Sequence, residues 1–128
     1  MAKQLSGIRA FNTDVVNDLI DLVGFSVASA ELTALAGGGR PGATPLQPGF
    51  NSVTVVATAA DSCVLPVATK GTMVFVRNSD SADSMTVFAL GSDTINGTAG
   101  ATGVTHSAGL SAIYWCPVDT KWFRLLSA

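Results

Sequence analysis

The sequence predicts a mainly β protein: an antiparallel β-sandwich or barrel domain with an N-terminal helical arm. Three observations predict it. Short runs rich in Val, Thr and aromatics recur from about residue 52 to the end. Gly, Asn, Asp, Ser or Pro bounds each run, the usual strand-and-turn signal. Helical periodicity is confined to the first third of the chain.

The elements follow in chain order. Residues 12–23 read as an amphipathic helix, with Val15, Val16, Leu19, Ile20 and Val23 at helical spacing and Asp14, Asp18 and Asp21 opposite. Asn12 or Thr13 caps it, and Asp14 suits the positive end of the helix dipole. Such a short helix does not persist unpacked in water. Its apolar stripe fits this chain's own β core, a groove on a partner, or a bundle of like helices. A second short helix is expected over residues 28–36, with Leu32 and Leu35 one turn apart and Gly37 ending it. The Gly- and Pro-rich stretch that follows, through Pro48-Gly49, reads as a linker. The expected organisation is a helical arm at 1–36, a linker at 37–49 and a β domain at 50–128.

In the β domain the runs fall at 52–58, 62–65, 72–77, 85–90, 104–107, 112–116 and 122–126. Several such runs at regular spacing suggest a sandwich or barrel. Met73 and Phe75 alternate with Val74 and Val76, and Val87 and Ala89 with Phe88 and Leu90. Both faces of these strands are apolar, so both are expected to be covered. Asn96-Gly97 is a turn signal, and Ile95 beside it is expected to plug the core.

The search for chemistry comes out nearly empty. His106 is the sole histidine; a general base there has no acidic neighbour in sequence to orient it, and no GxSxG motif occurs. A structural histidine is the simpler reading. Gly37, Gly39 and Gly42 satisfy GxGxxG, but they follow a helical signal and run into prolines, which is the wrong context for a dinucleotide site. Asp80 and Asp83 sit in an oxygen-rich loop without the calcium-loop ligand order. Cys63 and Cys116 lie in separate runs, either joined as a disulfide or apart as buried thiols. No catalytic residue, metal site or cofactor is expected.

Composition excludes further classes. Charged residues make up 12% of the 128, and net charge is −2 with the basic residues scattered. A nucleic-acid partner, which needs clustered Lys and Arg, is therefore not expected. The longest uncharged stretch, 94–118, is broken by Gly, Asn and Pro, so no membrane association is expected either. A surface so poor in charge is expected to be covered in an assembly. Tyr114 and Trp115 point to opposite faces, as do Trp122 and Phe123, so at least one large ring per strand lies off the inner face. An outward Trp is a candidate subunit anchor or a platform for a sugar ring.

One resemblance covers residues 50–126. The stretch from Val53-Thr54-Val55-Val56 through Asp61-Ser62-Cys63-Val64-Leu65-Pro66 carries its first part. Gly71-Thr72-Met73-Val74-Phe75-Val76-Arg77-Asn78, then Met85–Phe88, then Gly91-Ser92-Asp93-Thr94-Ile95-Asn96-Gly97 continue it, and Trp122-Phe123 closes it. In this order these pieces resemble tailed-phage head decoration (cement) and head-fibre proteins. The resemblance implies a non-enzymatic homotrimeric knob, made in the host cytoplasm and placed on the outer capsid surface of the virion. There it would stabilise contacts between major capsid protein subunits. Expected assembly contacts are Ile8, Phe11, Val15, Leu19 and Val23 in the arm, with Trp115 and Trp122 in the β domain. The alternative is a head or tail fibre or receptor-binding module that recognises a host glycan through exposed aromatics.

Overall fold

The computed structural model describes residues 28–128. It is an all-β, parallel β-solenoid of about four turns, neither a sandwich nor a barrel. Its strands, in chain order, are β1 (Ala28–Thr33), β2 (Thr44–Pro45), β3 (Gly49–Val55), β4 (Ser62–Val64), β5 (Met73–Asn78) and β6 (Met85–Phe88). These are followed by β7 (Thr94–Ile95), β8 (Thr98–Ala99), β9 (Val104–His106), β10 (Ser111–Val118) and β11 (Lys121–Leu126). Two sheets enclose the core. One is seven-stranded in the order β1-β3-β5-β10-β11-β7-β8, and the other is four-stranded in the order β2-β4-β6-β9.

The coils are visible in the register. β1, β3 and β5 run parallel, as do β2, β4 and β6. Phe50 lies beside Phe75 and Cys63 beside Val87, a coil of 24 or 25 residues, whereas Ala28 beside Phe50 and Thr44 beside Cys63 make the coil before it shorter, at 22 and 19. The last coil runs backwards: β9 is antiparallel to β6, and β10 is antiparallel to β5. β11 pairs antiparallel with β10 and parallel with β7, and the β7–β8 hairpin forms that edge of the sheet.

This overturns the antiparallel sandwich or barrel. The seven expected runs fall on β3, β4, β5, β6, β9, β10 and β11, but of these only β10 and β11 pair as a hairpin. β3 passes to β4 in the other sheet and returns as β5, one coil higher. Alternation within a strand is the same in both architectures, because it reflects only which side chains face inward. The helical arm is also corrected where the structure describes it. The expected helix over 28–36 is strand β1, which pairs with β3. The expected helix at 12–23 lies outside the described residues.

The Gly- and Pro-rich stretch 37–49 forms part of the first coil. Ala43 and Leu46 are buried in it, and Leu46 N donates to the Val64 carbonyl at 2.8 Å. Arg40 reaches across two coils to donate to the carbonyls of Ala89 (3.1 Å) and Gly91 (2.9 Å). Gly38 has φ +70°, and a Cβ there would meet the Ala60 carbonyl oxygen at 2.7 Å. Only glycine allows so close an approach of two backbones.

Asp61 fastens the same corner. Its carboxylate accepts from the backbone N–H groups of Gly37, Ala57 and Thr58 and from the Thr58 hydroxyl, at 2.9–3.1 Å. Burial raises its pKa, but these hydrogen bonds outweigh burial and hold it below the usual carboxylate value. The core between the sheets is built by Val53, Val74, Tyr114 and Trp122 from one side and Cys63, Met85 and Val87 from the other. Asn96 and Gly97, both at positive φ, make the two-residue turn between β7 and β8, and Ile95 is fully buried.

Candidate functional site

The outer face of the seven-stranded sheet carries the feature that most needs a function. Register aligns Phe50, Phe75, Ile113 and Leu125 in one row across β3, β5, β10 and β11. Phe50 and Phe75 stack with ring centroids 4.8 Å apart. Phe50 is 46% exposed and Leu125 63% exposed. A second row places Met73, Trp115 and Phe123 side by side, with the Trp115 and Phe123 rings stacked at 6.1 Å. These are cross-strand pairs of the kind that stabilise a sheet, here turned away from its core.

Along the first row runs an apolar groove of about 660 Å³. Its far wall is the polar row Ser52, Arg77 and Ser111. Arg77 is the charged residue of the lining, and its guanidinium donates to the Gly109 carbonyl and approaches Ser111 Oγ at 3.5 Å. The groove is therefore a greasy trough with one cationic edge. A smaller depression lies beside the second row, between Gly71, Met73, Trp115 and Pro117.

The residues singled out for chemistry are placed elsewhere. His106 is fully buried. Its Nε2 lies 3.0 Å from the Leu110 carbonyl, which can only accept, so Nε2 carries the proton. Nδ1 then accepts from the Tyr114 hydroxyl at 3.2 Å. Burial lowers the His106 pKa, with the nearby positive charges of Arg124 and Arg77 adding to it, against the Leu110 hydrogen bond. Burial likewise pushes the Tyr114 hydroxyl up to about 12. This pair is a neutral strut inside the solenoid, with both ring nitrogens engaged.

The thiols are equally inert. Cys63 and Cys116 are separate, free and buried, and burial pushes the Cys63 thiol up to about 12. Reactive cysteines need the opposite, a stabilised thiolate in reach of solvent. Asp80 Oδ1 accepts from the backbone N–H of Ala82 (2.8 Å) and Asp83 (2.9 Å), a local turn that lowers its pKa. Among the described residues no three His, Cys, Asp or Glu side chains converge as a metal site.

The two tryptophans part company. Trp115 is 36% exposed, in the second outer row. Trp122 is fully buried and packs the core, so it presents no surface to a partner. Ile8, Phe11, Val15, Leu19 and Val23 lie outside the described residues. Phe50, Ile113 and Leu125 are not legible as a group in the sequence. Each is an ordinary outward apolar residue in sequence, and only register brings them into one row. Comparison with family models, curated proteins and solved structures returned no match for this chain.

Proposed function

We propose that this chain is a non-enzymatic phage capsid decoration (cement) protein. In this reading it sits on the outer capsid surface as a homotrimer and stabilises contacts between major capsid protein subunits. The observation that carries the reading is the apolar outer face of the seven-stranded sheet, in a chain with only 12% charged residues. Exposed apolar patches of several hundred Å² mark interaction surfaces. The buried, hydrogen-bonded state of His106 and the buried thiols support a role without bond-making chemistry.

The second row, Met73, Trp115 and Phe123, is the contact surface of this proposal. Burying about 300 Å² of it would contribute roughly 7 kcal/mol before the cost of association. Three linked copies recover much of that cost, because they bind the particle together.

The test mixes purified protein with capsids of the phage that encodes it, stripped of the protein, and measures co-sedimentation and particle stability to heat. Saturable binding that raises the disruption temperature is expected. Protein that stays in the supernatant at micromolar concentration would overturn the reading. The stacked Trp115–Phe123 pair also favours the alternative of a glycan-binding fibre module. Glycan-array binding that disappears in Trp115→Ala, with no capsid binding, would establish that alternative instead.

A further inference from the structure

The groove along the first row pairs an apolar bed with a polar wall. Phe50, Phe75, Ile113 and Leu125 make the bed across four strands. Two residues further along, Ser52, Arg77 and Ser111 stand in register as the wall, and the Ser127 hydroxyl joins them by accepting from Ser111 N at 3.0 Å. Among the described residues that line the groove none is acidic, so Arg77 gives it a positive charge that nothing in the lining answers. We propose that the groove binds a long-chain carboxylate, a single acyl chain lying along the bed with its anionic head on Arg77.

Three properties fit that occupant. A volume of about 660 Å³ lies in the usual range of small-ligand sites, which are mostly apolar with a few polar groups that fix orientation. The cation is exposed and already positioned. Both hydrogen bonds of Arg77, to the Gly109 carbonyl and to Ser111 Oγ, are made by Nη1. They hold the guanidinium at the wall, while among the described residues Nε and Nη2 keep their N–H donors for a ligand. Two such parallel donors match the two oxygens of a carboxylate.

The lengths agree as well. From Arg77 to Leu125 is two strand spacings across and two residues along, about 12 Å. An extended chain advances about 1.2 Å per bond, so roughly ten bonds cover that path. A second copy answers the charge less well. Meeting through the same patch, it brings another Arg77 to the contact and no acid. The inference does not rest on the capsid reading, and its test uses the purified chain alone.

Equilibrium dialysis of the full-length protein against radiolabelled dodecanoate, kept below its micelle concentration, measures affinity and stoichiometry. Saturable binding of one molecule per chain is expected. Decanoate should bind about fourfold more weakly, the effect of losing two methylenes half covered by an open groove. This chain-length series needs no variant. Arg77→Gln should weaken dodecanoate about tenfold and leave dodecanol unchanged, whereas Leu125→Ser should weaken both. Both substitutions fall on exposed side chains, and melting temperatures near that of the parent confirm that the variants fold. Binding that does not saturate, affinity indifferent to chain length, or equal losses for acid and alcohol in Arg77→Gln would overturn the proposal. A native mass that falls in Leu125→Ser would place a second copy in the groove and overturn it too.

Discussion

On β10, Tyr114 and Trp115 are neighbours in sequence yet lie on opposite sides of one sheet. Tyr114 is fully buried and hydrogen-bonded to His106, whereas Trp115 is partly exposed and stacked on Phe123. The same contrast runs across the whole seven-stranded sheet. Its inner face packs Val53, Val74, Tyr114 and Trp122 against the second sheet. Its outer face presents Phe50, Trp115, Phe123 and Leu125, residues no less apolar, with a third or more of their surface still accessible. Inner and outer positions thus differ in what covers them rather than in composition. The inner face makes the fold, and the outer face is available to make contacts.

Substitutions on the two faces should separate these roles. The largest effect is expected from Trp122→Ala, which empties the largest fully buried site and should cost about 3–5 kcal/mol in urea unfolding. A cost below about 1 kcal/mol would mean that the inner face does not carry the fold.

Gly100→Ala tests how tightly the chain between β6 and β9 folds against itself. A Cβ there would meet the Asp93 carbonyl oxygen at 2.5 Å and Ala89 Cβ at 2.8 Å. Overpacking of this kind costs about 1–3 kcal/mol, read as a lower urea midpoint. Tyr114→Phe removes the hydrogen bond to His106 Nδ1 and should cost about 1 kcal/mol.

The pH dependence belongs to the inner face as well. The folded-state pKa of His106 is lowered from 6.5, so its contribution is fully present above pH 6.5. It is lost as pH falls below 6.5 through the depressed folded value, because the unfolded chain then binds the proton more readily. Thermal melts from pH 8 to 5 should show falling stability, and His106→Gln should flatten that fall. A parent protein with level stability over this range would remove His106 from the account.

The smallest effect on folding should come from the outer face. Leu125→Ser, at a residue 63% exposed, should change global stability by less than about 1 kcal/mol. A large loss there would erase the distinction between the faces.

Much of the strand content was legible in the sequence, because the signals are local. Alternation in Met73-Val74-Phe75-Val76 shows that both faces of β5 are apolar. Asn96-Gly97 marked its turn, and Ile95 was placed inside. The solenoid is barely legible there. Its weak trace is the recurrence of Ala60-Asp61-Ser62 as Ala82-Asp83-Ser84 at the same corner of successive coils, where Ala60 N donates to the Ser84 carbonyl. The glycines and prolines of residues 37–49 read as a spacer because their composition resembles one. Their role as a coil depends on contacts with Asp61, Ala89 and Gly91, which are distant in sequence.

The sequence by itself determined the approximate places of seven β runs, the alternation of faces along them, and that His106 and the two cysteines lie in no catalytic or metal-binding motif along the chain. These follow from backbone sterics and side-chain alternation, which act over a few residues. Only the tertiary structure decided that β3 pairs with β5 in parallel, that Trp122 is core while Trp115 is surface, and that Phe50, Phe75, Ile113 and Leu125 share one row. Those outcomes depend on register between segments tens of residues apart. Register is set by how whole coils stack to bury their inward side chains, not by any signal within a single strand.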